Sequence, residues 1–510
     1  MDSFAETVVL GAGSAGAVIA ARATERSDNE VLLLEAGPDY PELGSLPRDL
    51  IDGSHNSVRD HDWGYRHRPM PAQVAFDFPR GKVVGGSSAV NTCIALRGQP
   101  YDYDEWASLG LPEWSWEHCL PAFKRLETDL DVKNEWHGAA GPVPIRRHTA
   151  DELVPWQAAF LEACAELGFP AAYDTNDPTS TGYGPHAMNK VGGERMSAAR
   201  CYLTPEVRRR PNLRLRPNVL ARRLLFEGRR AVGVEVEADG RIERIGARRV
   251  IVSAGAINTP GLLLRSGVGP RAEVERLGVT PVADVPAIGT RLLDHPGAAI
   301  FLVPRWGLSK TTHPLVQTVL RYRSRGSPYA KNDMQLQPGS FVPLPPTAMP
   351  FVTLACCVGK PRGVGTLRWN SADPRAKPRI DSGVLSHDED RSRAVEAMEL
   401  ARACVHTRAM RDLVTFLWPL DSLLRDRSRL RNWIASSCGS GYHPSGTVPM
   451  GPDDSPDAAT DGRGRVRGTK ALVVADASLM PTIPSSNTNL ASLMIGERFG
   501  EWAREGGLDV

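Results

Sequence analysis

The first chemistry in this chain lies in its glycines. GAGSAG places Gly11, Gly13 and Gly16 around Ser14 and Ala15, and one acid, Glu35, ends a later apolar run. In this spacing the first glycine allows a tight turn, the second lets a diphosphate approach the backbone, and the third lets a helix pack closely on a strand. The free N–H groups and partial positive charge at a helix start suit a diphosphate. A carboxylate at Glu35 would accept hydrogen bonds from ribose hydroxyls and repel a 2′-phosphate. A second turn, RGKVVGGSSAVN (80–91), contains Gly81, Gly85, Gly86, Ser87 and Ser88. Lacking Cβ atoms, its glycines can lie against a flat ring or a phosphate. A purely structural turn fits the same residues.

These groups need elements to hold them. Thr7–Leu10 is β-rich, the Ala-rich stretch to Ala23 reads as helix, and Val31–Leu34 reads as a second strand. Strand, glycine turn, helix, strand and acid together give the motif its specificity for a dinucleotide, without choosing between NAD and FAD. RRVIVSAGAINTPGLLLRSGVGP (248–270) is again strand, glycine turn and helix. Val250–Ser253 suits a buried parallel strand, and Pro260 suits a first helical turn. Ala254 and Gly255 would bring backbone against the cofactor.

A net charge of +2 gives no electrostatic case for nucleic acid or an anionic membrane. The eight cysteines lack CxxC or zinc-type spacing, so they read as reduced thiols of a cytoplasmic protein without a metal site. No apolar run reaches the ~18 residues of a membrane span, and the N-terminus has no basic leader before its first strand.

Four stretches resemble the glucose-methanol-choline (GMC) oxidoreductase family: GKVVGGSSAVN with Ala95, Gly98 and Asp104 downstream, GAINTPGLLLRSGVG (255–269), GYHPSGTVPMG (441–451) and ALVVADASLMPTIPSSNTNLASLMIGER (471–498). They lie in family order and span nearly the whole chain. The resemblance implies an α/β fold in which a Rossmann-like FAD-binding domain is interleaved with an α+β substrate domain built on an antiparallel sheet. The FAD-binding domain is expected from 1–150 and 195–300. The substrate domain is expected from 151–194 and 301–430, and 431–510 returns to FAD with the catalytic residues.

On the same basis the cofactor set comprises Gly11, Gly13, Ser14, Ala15, Gly16, Glu35, Ala36, Trp63, Val83, Gly86, Ser87, Asn91, Ala221, Ala254, Gly255, Asp476, Ala477, Asn487 and Thr488. A helix from Asn487 to about Trp502 would aim its N-terminus at the flavin and stabilise negative charge there. Some family members link the flavin through a histidine just before the Asn of the first signature. Here that position is Val90, which has no nucleophile, so FAD is expected to bind without a covalent link.

The implied reaction oxidises an alcohol to an aldehyde by hydride transfer to flavin N5. Hydride leaves more readily when the hydroxyl loses its proton to a base with a pKa near working pH, and histidine suits this. The family places His443 there, in a turn stiffened by Pro444, with Asn487 as the partner that orients the substrate oxygen. Tyr442, Gln335, Gln337 and Phe341 are candidate pocket residues. An aromatic at 442 suits aryl or furanic alcohols by stacking, and could also meet a quaternary ammonium by cation–π contact. No carboxylate is clearly placed to pair with such a cation. A sugar or other secondary-alcohol oxidase of the same family and a non-catalytic flavin-binding protein are the alternatives. The electron acceptor, oxygen or another molecule, and the oligomeric state are open.

The rest is read by pattern. Residues 38–80 are mostly irregular, with DWGYRHRP (62–69) packed near the cofactor. Helices fit 115–127, 154–168 and 391–406, and a meander fits 213–237. Strands fit 334–343, 350–359 and 366–371. His137 and His148 read as solvated loop histidines, and Arg208–Arg210 as a solvated helix end.

Overall fold

The computed structural model describes residues 1–342 and 349–508. β1 (Ser3–Leu10), α1 (Ser14–Ala23) and β2 (Val31–Leu34) form where the glycine motif predicts. All four β2 residues are buried, as in a strand covered on both faces. β3 (Leu213–Arg216), β4 (Val219–Glu227), β5 (Arg230–Ala238), β6 (Arg241–Val252) and the distant β7 (Leu472–Val474) complete a seven-stranded sheet among the described residues. Its order is β3-β2-β1-β6-β5-β4, with β7 paired to the end of β6. β3, β2, β1, β6 and β7 run parallel, and Val8 lies between Leu32 and Val250. α2 (Gly255–Leu264) follows β6.

The expected meander is only half right. β4 and β5 form an antiparallel hairpin that pairs onto β6, but β3 lies parallel to β2 on the far edge. The cause is the end of β2. Glu35 N donates to Arg216 O (3.0 Å), Asn218 N to Gly37 O (2.9 Å) and Val219 N to Glu35 O (2.8 Å). Asn218, at φ +56°, turns the chain past the acid; asparagine tolerates this region better than most residues.

A second, antiparallel sheet runs in the order Val414–Trp418, Pro296–Pro304, Val352–Val358, Met334–Gly339, Thr318–Tyr322, Gly182–Pro185. One face buries Ile300, Leu336 and Leu354 under Val395, Met398 and Ala401 of α3 (Asp388–Val405) and under Phe160 of Pro155–Glu166. Alternation puts Gln335 opposite Cys357 and Gln337 opposite Ala355 on the other face. The expected strand 334–343 stops at Gly339, and its last residue, Pro343, lies outside the described residues.

One expectation is corrected here. Thr366–Arg368 leaves the antiparallel set and joins Arg379–Asp381, Tyr65–Arg68 and Phe76–Phe78 in a four-stranded sheet. The stretch 38–80 is mostly irregular, as expected, but carries two short strands and a short helix, Arg48–Ile51. Tyr65–Arg68 pairs locally with Phe76–Phe78, while its other partner, Arg379–Asp381, lies about three hundred residues away, beyond the reach of local pattern.

α4 (Thr488–Arg504) brings the last part of the chain back onto α1. Gly496 and Gly500, one turn apart, make the approach possible. A Cβ on Gly496 would stand 2.8 Å from Ala15 O, and one on Gly500 would stand 2.6 Å from Arg22 Cβ. Between them, buried Glu497 accepts from Arg22 (2.9 Å) and from the Tyr202 hydroxyl (2.6 Å). No helix of the described residues is long and apolar enough to cross a membrane.

Candidate active site

The two glycine turns meet at the end of the parallel sheet. A Cβ on Gly11, at φ +102°, would stand 2.4 Å from Ser253 O. One on Gly16 would stand 1.9 Å from Gly11 O, so α1 must follow β1 as closely as glycine permits. Gly85 N donates to Ala12 O (2.8 Å), and a Cβ on Gly86 would stand 2.7 Å from Gly13 Cα. Ser87 sits in the same turn, where its Oγ accepts from Gly81 N (3.2 Å). Glu35 is buried beneath. Its Oε2 accepts from Ala12 N (3.0 Å) and its Oε1 from Gly37 N (2.9 Å). Burial pushes its carboxyl up to about 7, against the pull of these N–H groups.

Beside Glu35 a cavity of about 410 Å³ is lined by Ala36, Trp63, Lys82 and Asn218 among others. The Lys82 ammonium lies 5.1 Å from the Trp63 ring centre, and Val83 is buried. Ala221 stands at a β-bulge in β4, and its carbonyl accepts from Arg265 (3.2 Å). The Asn91 side chain turns back to accept from Cys93 N (2.9 Å).

Three helices start around this region, and their N-termini differ. α2 is capped: Asp476 Oδ2 accepts from Gly255 N (2.8 Å) and from Thr259 Oγ1 (2.6 Å), beside Ala254 and Ala477. α1 and α4 have no side-chain cap, and no acid occupies either first turn. At the start of α4, Asn487 Oδ1 and Asn489 Nδ2 are buried with no hydrogen-bond partner, as are the nearby Ser445 and Ser478 hydroxyls. Native folds seldom leave buried polar atoms unpaired without reason. Two open helix starts, orphaned polar atoms and a glycine cradle fit a bound dinucleotide. Asn489 Oδ1 also accepts from Ser14 Oγ (3.0 Å), tying α4 to the first glycine turn.

His443 and Asn487, 44 residues apart, are brought together: His443 Nε2 lies 3.1 Å from Asn487 Nδ2. The other ring nitrogen, Nδ1, lies 2.9 Å from Nδ1 of His295. His443 N donates to Asp294 Oδ1 (2.8 Å), and the Ser440 hydroxyl donates to Asp294 Oδ2. Burial first, then His295 and Arg80, hold the His443 pKa well below its ordinary value. At neutral pH the ring is therefore uncharged and able to take a proton. Tyr442, at φ +62°, is 43% exposed, with its ring centre 6.2 Å from that of Phe78. Arg80 donates to its carbonyl (2.7 Å).

Gln335 Nε2 donates to Ser485 O (3.1 Å) and Gln335 Oε1 accepts from Gln337 (2.8 Å), so both amides follow the loop that leads to Asn487. Phe341 is buried against the His55 ring, 5.3 Å between centres. Sequence reading missed Asp294 and His295. Their signal was weak: a DHP tripeptide before a strand, 148 residues from the histidine it meets. It also misjudged His137. That ring is buried among Glu127 (2.9 Å), Asp129 (3.0 Å) and Asp174 (2.8 Å), which Arg97 and Arg147 also pair. Burial opposes its charge, but the three carboxylates outweigh that and raise its pKa to about 10. Arg208 likewise is not a solvated end: it pairs with Asp39 at 2.6 Å, while Arg210 donates to Ala21 O (2.6 Å). All eight cysteines are free, and only Cys357 is not fully buried.

Comparison with known proteins agrees with this geometry. Family models described as GMC oxidoreductase match residues 5–297 and 361–496. The chain is 34% identical over 536 residues to 5-(hydroxymethyl)furfural oxidase of Methylovorus sp., covering 98% of each. It is 34% identical over 527 residues to an oxygen-dependent choline dehydrogenase of Brucella anthropi, covering 97% of this chain and 94% of that one. Its fold matches the crystal structure of pyridoxine 4-oxidase from Mesorbium loti with a TM-score of 0.88 and 30% identity, covering 97% of this chain and 98% of that one.

Proposed function

The chain belongs to the GMC oxidoreductase family, and from that premise we propose that it binds FAD non-covalently and oxidises a primary aryl or furanic alcohol to the aldehyde. The observation that carries the reading is His443 Nε2, on an uncharged buried ring, 3.1 Å from Asn487 Nδ2 at the uncapped start of α4. FAD, when bound, supplies the hydride acceptor. The protein's own part is the proton and the pose. His443 Nε2 takes the hydroxyl proton. Asn487 Nδ2 has a second N–H for the substrate oxygen, and it cannot itself act as the base. The glycine turns and the α1 N-terminus hold the diphosphate, Glu35 the ribose, and the α4 N-terminus the flavin's electron-rich edge.

The substrate class rests on the exposed ring of Tyr442, next to His443 in the chain and 6.2 Å from the Phe78 ring, and on similarity to two oxidases named for ring-bearing substrates. Oxygen or another molecule takes the electrons onward. The test is anaerobic bleaching of the purified yellow protein by a panel of alcohols. His443→Ala should keep its FAD and bleach about 10²–10⁴ times more slowly, and Asn487→Ala should slow less. Wild-type bleaching by the fully loaded His443→Ala protein would overturn the assignment.

A further inference from the structure

We infer that His295 decides which nitrogen of His443 carries the proton, and so keeps Nε2 open as a base. The inference rests on the reading of His443 above. His295 lies just before Pro296–Pro304 and is 1% exposed. Its Nε2 is 3.0 Å from both Gly359 O and Pro484 O. A carbonyl oxygen can only accept, so this nitrogen must carry the hydrogen. Burial, with a further push from Lys360, holds the ring near a pKa of about 4, so at neutral pH it has one proton and its Nδ1 is bare.

That bare nitrogen stands 2.9 Å from His443 Nδ1. Two lone pairs at this distance would repel, so His443 Nδ1 must be the donor. His443 is itself uncharged, since burial, His295 and Arg80 oppose its charge. Its single proton is then on Nδ1, and the unprotonated Nε2 accepts from Asn487 Nδ2. Order therefore runs from two fixed carbonyls, through His295 and His443, to the nitrogen that meets substrate. The remaining charged group here, Asp294, binds the His443 backbone N–H and not the ring. If Nδ1 loses its acceptor, the proton settles on Nε2 opposite a flipped Asn487 amide, and the base is blocked. His295 is a positioning residue and does not touch substrate.

The test uses two complementary variants of the FAD-loaded enzyme. His295→Gln can still donate to the two carbonyls but offers nothing at the Nδ1 position. His295→Asn loses that donor but places an amide oxygen near Nδ1. Histidine-labelled nitrogen NMR reads the His443 tautomer directly, with the signal assigned by its loss in His443→Ala. The proton is expected on Nδ1 in wild type and in His295→Asn, and on Nε2 in His295→Gln. Anaerobic flavin reduction should fall about 10²–10⁴-fold in His295→Gln, with substrate affinity little changed, and recover in His295→Asn. A proton on Nε2 in the wild-type spectrum would overturn the proposal, as would wild-type tautomer and rate in His295→Gln. If His443→Ala reduced its flavin normally, the base assignment would fall instead, while the spectrum still decided the tautomer.

Discussion

Removing the Glu35 carboxylate separates its two backbone contacts from the ribose contact proposed for it. A carboxylate offers about four acceptor positions; two are taken by Ala12 N and Gly37 N, leaving two for the ribose. In Glu35→Ala the two buried N–H groups lose their acceptor, at about 1–3 kcal/mol each, or about 2–6 kcal/mol of turn stability. The ribose loses hydrogen bonds to a charged group, worth about 1.5–3 kcal/mol, which converts to roughly 10- to 150-fold in FAD Kd. Fluorescence titration of apoprotein with FAD reads the second term, and thermal melting of the apoprotein reads the first. Glu35→Gln keeps one acceptor oxygen and should fall between. The pH dependence gives an independent check. Burial lifts this carboxyl to about 7 in the FAD-free fold, and ribose hydroxyls favour its ionised form. FAD should therefore bind more tightly as pH rises toward 7 and level off above it, and Glu35→Gln should lose that slope. An FAD affinity in Glu35→Ala equal to wild type at pH 8 would refute the ribose role.

If FAD is held without a covalent link, as proposed, acid-precipitated protein should release all its yellow colour into the supernatant. The rate of flavin reduction depends on an uncharged His443, so it should hold constant from pH 8 down past the ordinary histidine pKa of about 6.5 and fall only at lower pH; stopped-flow reduction across pH measures this. His137 gains its proton affinity on folding. Its contribution is complete below about 6.5 and is lost as pH rises through about 10. His137→Gln should remove one of three cations from carboxylates that Arg97 and Arg147 still pair, lower stability at neutral pH, and flatten the stability loss between those values in denaturant titrations.

What could be read from the sequence was what neighbours along the chain determine. β1, α1, β2 and Glu35 follow one another within 35 residues, and each carries its own signal in glycine, apolar run or acid. The hairpin of β4 and β5 was visible for the same reason. β3 was not, because its place depends on backbone bonds to residues 35–37 that no periodicity encodes. His443 and Asn487 were recognisable through their surrounding motifs. His295 was not, because its role exists only through contact with His443, Gly359 and Pro484. His137 was misjudged because a loop position predicts water, whereas three distant carboxylates and two arginines enclose it.

The seam between α1 and α4 has a consequence for how this enzyme is made. The first glycine turn is synthesised some 475 residues before Gly496, Glu497 and Gly500, which seat α4 on α1. A ribosome must therefore make those residues before α4 can cover α1, and closing contacts across some 475 residues is slow. Until then the apolar flank of α1 stays open to solvent and to other chains. The glycine turn thus stays half built until α4 arrives and ties Asn489 to Ser14.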